Sequence, residues 1–307
     1  MRMPMIASIP HAAPLLSGRY ATGTMPPSIR QPRTAPVLIH VNQADLYAYT
    51  GGKAFMPERP TVVFIHGALN DHSVWILQSR YFANHGCNVL AIDLPGHGKS
   101  AGEAPETVEQ AAQTVLDLLG VLGVGKAALV GHSLGSLIAL EAAARAPERV
   151  SHLALLGTAY PMRVSAALLE AAVSDPMKGI DMVNTFSHST MAPPPSTLGP
   201  GTWLHGTGRA LMRRVLASNT RLNVFHRSFK ACDSYTGGEP AMASVQCPTL
   251  FIVGEFDQMT PPKAAQGLIA HAIQGQAITV KAGHALMEEA PDAVLDALRK
   301  FLNAYKN

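Results

Sequence analysis

The sequence predicts an α/β protein whose mostly parallel central sheet is covered by helices on both faces. Short apolar runs alternate along the chain with longer helical patterns, as they do when crossover helices join parallel strands. Most of these runs are continuously apolar, which is typical of strands that are buried on both sides. With 307 residues, 47% of them hydrophobic, the chain can bury an ample core in one large or two small domains.

A hairpin is predicted to begin the sheet. Two β-type runs, residues 37–41 and 46–49, flank the polar residues Asn42 and Gln43. Further strands are predicted at residues 61–65, 88–92, 127–130, 150–156, 250–253 and 277–280. Helices are predicted at residues 75–84, 107–122, 134 to about 147, 262–273 and 293–301.

The pattern changes between residues 160 and 244, where no strand is evident. Amphipathic helical stretches at residues 164–173 and 210–216 flank the turn-rich segment MAPPPSTLGPGTW. This insertion is too long to be a loop. We expect residues 160–244 to form a helical cap over the strand ends and to divide the core into residues 37–159 and 245–307. A peripheral helical decoration is the alternative.

Residues 1–36 resemble a processing segment more than a folded one. They are rich in Pro, Ser, Ala and Arg, and the first acidic residue of the chain is Asp45. Pro10 and Pro14 interrupt the apolar portion, whereas a secretory signal needs a continuous apolar core. We expect an extended or poorly ordered leader. A tail laid on the surface and a true start at Met25 are the other interpretations.

The composition argues against several classes of function. The net charge of +3 reflects the arginines of the leader, so no nucleic-acid-binding surface is indicated. No apolar run approaches the roughly 20 residues that span a membrane. Cys87, Cys232 and Cys247 show no metal-binding or redox spacing and fit a reducing compartment as packing residues. We expect a cytoplasmic monomer or homodimer without a metal or cofactor, and the leader leaves export or organelle targeting open.

The motif GHSLG at residues 131–135 has the strongest chemical implication. It lies between an apolar run predicted as a strand and a stretch of helix formers, which predicts that Ser133 occupies a sharp strand-to-helix turn. Glycines two positions away on each side leave room for neighbouring backbone. The serine hydroxyl is therefore expected to project where a substrate can reach it.

A serine nucleophile needs a base, and the base needs an acid that orients it. His284 in AGHAL and Asp257 in GEFDQMTPP each follow a predicted strand. The carboxyl ends of parallel strands lie at one edge of a sheet, so Ser133, Asp257 and His284 are expected to meet there. Glu255 is the competing candidate for the acid.

Other residues at the same edge are candidates for oxyanion stabilisation and for the pocket wall. The backbone N–H groups of Ala68 and Leu134 are the predicted oxyanion donors, because Leu134 follows the nucleophile and Ala68 follows a strand end at Gly67. The predicted pocket residues are His66, Leu69, Asp93, His132, Met162, Met259 and Met287. For His66, organisation of its loop by hydrogen bonding is the alternative role. For Asp93, the alternative is a purely structural role in the glycine-rich loop that closes onto the pocket wall.

Five motifs in order carry a family resemblance: HG followed by a tryptophan, DLPGHGKS, GHSLG, GEFDQMTP and AGHALMEEAP. Together they resemble the α/β-hydrolase fold superfamily, in its capped branch of esterases and related hydrolases. The resemblance covers residues 37–305. It implies the fold and the triad, and it leaves esterases, lactonases, carbon–carbon hydrolases and cofactor-free haloperoxidase-like perhydrolases open.

Two positions narrow these possibilities. A serine at the turn, where epoxide hydrolases and haloalkane dehalogenases carry an aspartate, argues against those relatives. Ala285 after His284 weakens the relation to ring-cleavage carbon–carbon hydrolases, in which an aromatic residue follows the histidine.

We therefore expect a serine hydrolase that cleaves a carboxylic ester, thioester or lactone of a small, mainly apolar substrate. Carbon–carbon or perhydrolytic chemistry on the same fold is the alternative, and a receptor that keeps the triad is another. The preference for apolar groups rests on the flexible, polarizable methionines of the insertion, although each could instead fill the core of the cap. These methionines are Met162, Met177, Met182, Met191 and Met212.

Overall fold

The computed structural model describes residues 37–190 and 203–303, and these form an eight-stranded mixed sheet with helices on both faces. The leader and Met191, with most of the turn-rich segment, lie outside the described residues. The strands are β1 (Val37–Val41), β2 (Ala44–Tyr49), β3 (Thr61–Ile65), β4 (Asn88–Ile92), β5 (Ala127–His132), β6 (Val150–Leu156), β7 (Thr249–Gly254) and β8 (Gly275–Val280). The predicted α/β class is confirmed.

The strand order is β1-β2-β4-β3-β5-β6-β7-β8. β2 runs antiparallel to both β1 and β4, and all other neighbours in the sheet are parallel. The predicted hairpin is present, and Asn42 and Gln43 form its turn with positive φ angles of 49° and 66°. The six strands from β3 to β8 therefore end at one edge, where the loops that follow them come together.

The helices are α1 (Ile76–Asn84), α2 (Val108–Val121), α3 (Leu134–Arg145), α4 (Ala166–Ser174), α5 (Pro176–Ser187), α6 (Leu204–Ser218), α7 (Val224–Ser234), α8 (Gly238–Ser244), α9 (Gln266–His271), α10 (Leu286–Glu289) and α11 (Pro291–Asn303). Short 3₁₀ helices lie at His72–Trp75, Pro147–Arg149 and Pro262–Ala265. In the described parts of the chain, no helix combines the length and apolarity needed to cross a lipid bilayer.

Alternate residues of the central strands point to opposite faces and build two hydrophobic clusters. In β3, Val63 and Ile65 pack with α2 and α3, whereas Val62 and Phe64 pack with α1 and α11. This alternation of buried side chains explains why the strands are continuously apolar in the sequence. The cysteines Cys87, Cys232 and Cys247 are buried, as expected for packing residues.

Five helices, α4 to α8, lie in the described residues between β6 and β7. Helices α4 to α7 share a third hydrophobic cluster that includes Ile180, Val215 and Phe225, and Leu69 from the loop after β3 joins it. Ala241 and Met242 of α8 belong instead to the cluster on the α2 and α3 face of the sheet. The sequence indicated α4 and α6 but did not single out α5, α7 or α8. The start of α5 carries a recognisable signal, because Asp175 accepts from the backbone N–H of Lys178 and Pro176 occupies the first turn.

Candidate active site

Ser133 occupies a strained turn between β5 and α3. Its φ of 52° and ψ of −120° lie in a region that residues with a side chain rarely adopt. The flanking glycines make the turn possible. A Cβ on Gly131 would lie 2.1 Å from the carbonyl oxygen of Gly135, and a Cβ on Gly135 would lie 2.3 Å from that of Ile65. The turn is therefore pressed directly against the end of β3.

The loop after β3 approaches the serine just as closely. A Cβ on Gly67 would lie 3.1 Å from the Cβ of Ser133. The positive φ of this loop falls on Leu69, at 54°, and not on Gly67. Gly67 therefore serves close approach, and the reversal of the chain occurs two residues later. Ala68 lies between them, beside Ser133.

His284 and Asp257 form a buried pair at the ends of β8 and β7. The Nδ1 atom of His284 lies 2.9 Å from Oδ2 of Asp257 and 3.0 Å from Oγ1 of Thr260. Thr260 donates its hydroxyl to Oδ2 of Asp257 at 2.7 Å, and its backbone N–H donates to Oδ1 at 2.7 Å. Burial by itself would raise the pKa of Asp257, but His284 and Thr260 outweigh it and hold this pKa below its ordinary value.

Thr260 was not among the residues predicted from the sequence. Its position three residues after Asp257 is where a side-chain carboxylate commonly accepts from the backbone in a turn, which is the signal that could have found it. Glu255, the competing acid, is exposed on the surface, and its backbone N–H bonds to Val280. The orientation of His284 therefore depends on Asp257 and Thr260.

Contacts from the insertion and from β5 hold the His284 loop. Glu289 accepts from the N–H of Gly283 at 3.0 Å and from both the N–H and the hydroxyl of Ser189. The N–H of Ala285 donates to the carbonyl of Ser187 at 2.9 Å. Nε2–H of His132 donates to the carbonyl of His284 at 2.9 Å. The loop is thus tied to the C-terminal end of α5.

Two cavities open beside Ser133, with volumes of about 60 Å³ and about 250 Å³. Residues from α5 and α7 contribute to both. The residues that line both cavities are Ala68, Ser133, Val183, Phe229, Met259 and His284. A group bound at the serine can therefore extend into either space.

A sequence profile described as "Alpha/beta hydrolase family" matches residues 62–297, which is most of the chain. The chain belongs to the α/β hydrolase family. Its eight-stranded, mostly parallel sheet is the core of an α/β hydrolase fold.

Several characterised and solved proteins are similar to this α/β hydrolase. Esterase YbfF from Escherichia coli is 24% identical over 249 residues, covering 79% of this chain and 92% of the relative. A solved thermophilic esterase superposes with a TM-score of 0.70 at 27% identity, covering 87% of this chain and 97% of that one. The enol-lactonase from Burkholderia xenovorans shares the fold, with a TM-score of 0.72 at 22% identity, covering 86% and 98% of the two chains.

Relatives with other named activities are also similar to this chain. The (E)-2-((N-methylformamido)methylene)succinate hydrolase of Acinetobacter baylyi is 23% identical over 260 residues, covering 80% of this chain and 91% of the relative. An acetyltransferase component of the acetoin cleaving system of Pseudomonas putida is 37% identical over 110 residues. That match spans 36% of this chain and only 28% of the acetyltransferase component.

Four of the predicted pocket residues line the cavities of this hydrolase. His132 and Met287 line the smaller cavity, Met162 lines the larger one, and Met259 lines both. The predicted oxyanion donor Ala68 lines both cavities. Leu134 is the first residue of α3, so its N–H belongs to the helix turn whose donors lack intrahelical partners.

Leu69, His66 and Asp93 line neither cavity, so their predicted place in the pocket wall is not what the structure shows. Leu69 is fully buried in the hydrophobic cluster of the insertion. His66 is also fully buried; its Nδ1–H donates to the carbonyl of Gly67 at 2.8 Å, and its Nε2 accepts from the N–H of Leu94 at 3.0 Å. Burial lowers the pKa of His66, which keeps the ring neutral in this role.

Asp93 binds three donors of the neighbouring loops. Its Oδ1 accepts from the backbone N–H and from Nδ1 of His72 at 2.7 and 2.8 Å, and its Oδ2 accepts from the N–H of Lys99 at 2.8 Å. A Cβ on Gly98 would lie 2.5 Å from Oδ2, so the glycine lets the loop close on the carboxylate. Burial favours a raised pKa for Asp93, but the hydrogen bonds from His72 outweigh it and lower this pKa.

Asp71, His72 and Asp93 bring possible metal-ligand atoms within 4.8 Å of one another in the described part of the chain. Asp71 accepts from Ser73 and forms an ion pair with Arg214 at 2.7 Å. Since Asp93 is already bound to His72 and Lys99, the carboxylates have protein partners. The cluster is a hydrogen-bonded junction between the loops after β3 and β4 and helix α6.

Asp93→Asn is expected to lower the free energy of unfolding at pH 7 by about 2–3 kcal/mol, because an amide NH₂ would face one of the N–H donors that the carboxylate now accepts from. Urea unfolding measures this loss, and the exposed Asp296→Asn is the surface control. The pKa of Asp93 is depressed on folding, so its contribution is present above the ordinary value of 3.8 and is lost as the pH falls through the folded value. The difference in free energy of unfolding between wild type and variant should therefore become smaller below about pH 4. A difference that is constant with pH would show that the charge of Asp93 does not contribute to stability.

Proposed function

We propose that this α/β hydrolase is a serine hydrolase that cleaves a carboxylic ester, with thioesters and lactones as related substrates, through an acyl-enzyme. The observation that carries the proposal is the pairing of a strained, half-buried Ser133 with the buried His284–Asp257 hydrogen bond at the same pair of cavities. Its resemblance to a thermophilic esterase at 27% identity supports an ester as the substrate.

The hydrogen bonds of His284 support its role as the base in this mechanism. Because Nδ1 carries the proton that it donates to Asp257, Nε2 has a free lone pair in the neutral ring. Nε2 takes the proton of Ser133 as the hydroxyl oxygen attacks the ester carbonyl carbon. The N–H groups of Ala68 and Leu134 then donate to the oxyanion of the tetrahedral intermediate.

Collapse of this intermediate expels the alcohol, which leaves with the proton held by His284. A water molecule then gives a proton to His284 and attacks the carbonyl carbon of the acyl-enzyme. When the resulting tetrahedral intermediate collapses, the bond to Ser133 breaks, His284 returns the proton to the Ser133 oxygen, and the carboxylic acid is released. Asp257 stays ionised throughout, and its depressed pKa supports that role because it favours the carboxylate beside an imidazolium.

We propose further that residues 160–244 form a cap over this site. In support, Val183 of α5 and Phe229 of α7 line both cavities. The hydrophobic cluster that joins α4 to α7 includes Leu69 from the core, which would anchor such a cap beside the serine. The cap would exclude water and select the substrate by its shape.

The lining of the larger cavity favours an apolar arm of the substrate. Its wall includes Met162, Leu168, Met182, Phe186 and Phe229. Met212, another of the predicted methionines, packs in the hydrophobic cluster of the insertion and also lines the smaller cavity. Arg163 is the one charged residue among those that line the larger cavity, and its guanidinium donates to the carbonyl of Asp233.

Ser133→Ala is expected to reduce hydrolysis of a short-chain aryl ester by about 10⁴-fold or more, because the attacking atom is removed. Steady-state kinetics measure the loss, and circular dichroism checks that the fold is kept. Wild type should react with a fluorophosphonate probe and the variant should not. A variant that retains a tenth of the wild-type rate would contradict the assignment of Ser133, and a wild type inert to the probe would favour a receptor.

Asp257→Asn is expected to lower kcat by roughly 10⁴-fold, because an amide would favour the wrong tautomer of His284. Glu255→Gln is the matched control, since it makes the same chemical change two residues away at an exposed side chain. It should leave kcat within a factor of two or three of wild type. If Glu255→Gln were the more damaging change, the acid would be Glu255.

Catalytic efficiency is expected to rise along a series of straight-chain acyl esters and then level off when the larger cavity is filled. Each buried methylene should add at most about 0.8 kcal/mol to transition-state binding. The measurement is kcat/KM for acyl chains of increasing length, beside one anionic hemiester. An efficiency that does not change with chain length, or a preference for the hemiester, would mean that the cavity does not select apolar groups.

A further inference from the structure

The smaller cavity has polar groups that the proposed triad does not use. Asn184 lies near the end of α5, His188 directly follows that helix, and Glu288 lies in α10. All three residues line the cavity together with Ser133 and His284. The cavity is therefore polar on a side that can be reached from the nucleophile.

Hydrogen bonds determine which buried side-chain atoms of these residues are left without a partner. Nδ2 of Asn184 donates to the carbonyl of His205 at 2.8 Å, so its Oδ1 is the remaining atom. Nδ1–H of His188 donates to the carbonyl of Asn184 at 2.8 Å, so its Nε2 remains. Asn184 Oδ1, His188 Nε2 and Glu288 Oε2 have no partner within hydrogen-bonding distance among the residues that the structure describes, and the last two lie 3.7 Å apart as an ion pair.

Unpartnered polar atoms at this depth call for an occupant. Asn184 and His188 are only 6% and 5% exposed. A buried acceptor without a donor costs about 1–3 kcal/mol. Because the three residues line one cavity, a single small polar group bound there could form hydrogen bonds with more than one of these atoms.

Gly208 keeps the space beside these atoms open. A Cβ at this position would lie 2.8 Å from Oδ1 of Asn184 and 3.4 Å from Cε1 of His188. Gly208 lies inside α6, where glycine is about 1 kcal/mol less favourable than alanine. The helix therefore has a weak helix former at the position where a methyl group would close the cavity.

The chemistry of Asn184, His188 and Glu288 favours some bound groups over others. An anion is disfavoured because Glu288 Oε2 lies 3.7 Å from Nε2 of His188 and faces the same space. Burial would lower the pKa of His188, but Glu288 and the carbonyl of Asn184 outweigh it and raise this pKa. A hydroxyl suits both protonation states of His188, since it donates to Asn184 or Glu288 and can accept from a protonated Nε2.

We propose that the smaller cavity binds a neutral hydroxyl group, carried on a short arm of the ester, while the larger cavity holds an apolar arm. The proposal rests on the proposed esterase function of Ser133. The substrate class is accordingly an ester with one short hydroxylated side and one apolar side. A cavity of about 60 Å³ restricts the hydroxylated arm to a few non-hydrogen atoms.

Two pairs of esters test the proposal, each differing by a hydroxyl in place of a methyl group. Ethylene glycol monohexanoate is compared with propyl hexanoate, and hexyl β-hydroxypropionate with hexyl butyrate. The pairs place the hydroxyl on the alcohol side and on the acyl side respectively. The expected result is a kcat/KM about tenfold higher for the hydroxylated member of at least one pair.

Variants then connect this preference to the cavity. Asn184→Leu removes the acceptor, and Gly208→Ala fills the space; each should reduce the hydroxyl preference to about one. Gly120→Ala is the matched control for Gly208→Ala, because Gly120 lies in α2 with no atom within 4 Å of an added Cβ. This control should keep the wild-type preference. If Asn184→Leu does not fold, Gly208→Ala supplies the same comparison.

Three results would overturn the inference. The first is a wild-type preference near one in both pairs, and the second is a preference that persists in Gly208→Ala and Asn184→Leu. The third is faster cleavage of hexyl β-alaninate than of the hydroxylated ester, which would indicate an ammonium site. Labelling of Ser133 by the fluorophosphonate probe separates these results from a failure of the esterase function, because the probe does not need the hydroxyl subsite.

Discussion

The close contact between the Ser133 turn and the end of β3 is the constraint on which the site depends. An added methyl group at Gly135 would meet the carbonyl of Ile65 at 2.3 Å, and one at Gly67 would meet the Cβ of Ser133 at 3.1 Å. The backbone around Ser133 can therefore adopt its strained angles only because Gly135 and Gly67 lack side chains. The same contact brings Ala68 beside Ser133, where its N–H is the proposed donor to the oxyanion.

The opposite side of the site depends on contacts between segments far apart in the chain. His284 bonds to Asp257 and Thr260 after β7, while Glu289 and Ser189 join the His284 loop to the end of α5. A movement of α5 would therefore be transmitted to the loop that carries the proposed base. It would also shift Asn184 and His188, so the proposed hydroxyl subsite and the proposed triad would share one support.

The two cavities divide the proposed selection of substrate between different physical effects. The larger cavity offers apolar surface, and its contribution grows with the area that a substrate removes from water. The smaller cavity offers hydrogen-bond acceptors, and its contribution depends on whether one hydroxyl is present. An ester with a single long arm would leave the acceptors of the smaller cavity to water.

The fold could be predicted from the sequence because its signals are local. Apolar runs of strand length, the glycines around Ser133 and the order of the motifs are each contained in a few neighbouring residues, and the family match and the sheet confirm the class they indicated. The candidate triad could also be predicted from local signals, since Asp257 and His284 follow predicted strands. The two residues come together because the carboxyl ends of parallel strands lie at one edge of the sheet.

Only the tertiary structure decided how side chains face one another. Leu69, His66 and Asp93 follow strand ends as the cavity residues do, yet packing and hydrogen bonding turn them away from the cavities. Conversely, the cluster of His188 with Glu288 joins residues 100 positions apart, and no local pattern indicates that pairing. Strand periodicity and backbone freedom are properties of a short segment, whereas the partner of a buried polar atom depends on which distant segment packs against it.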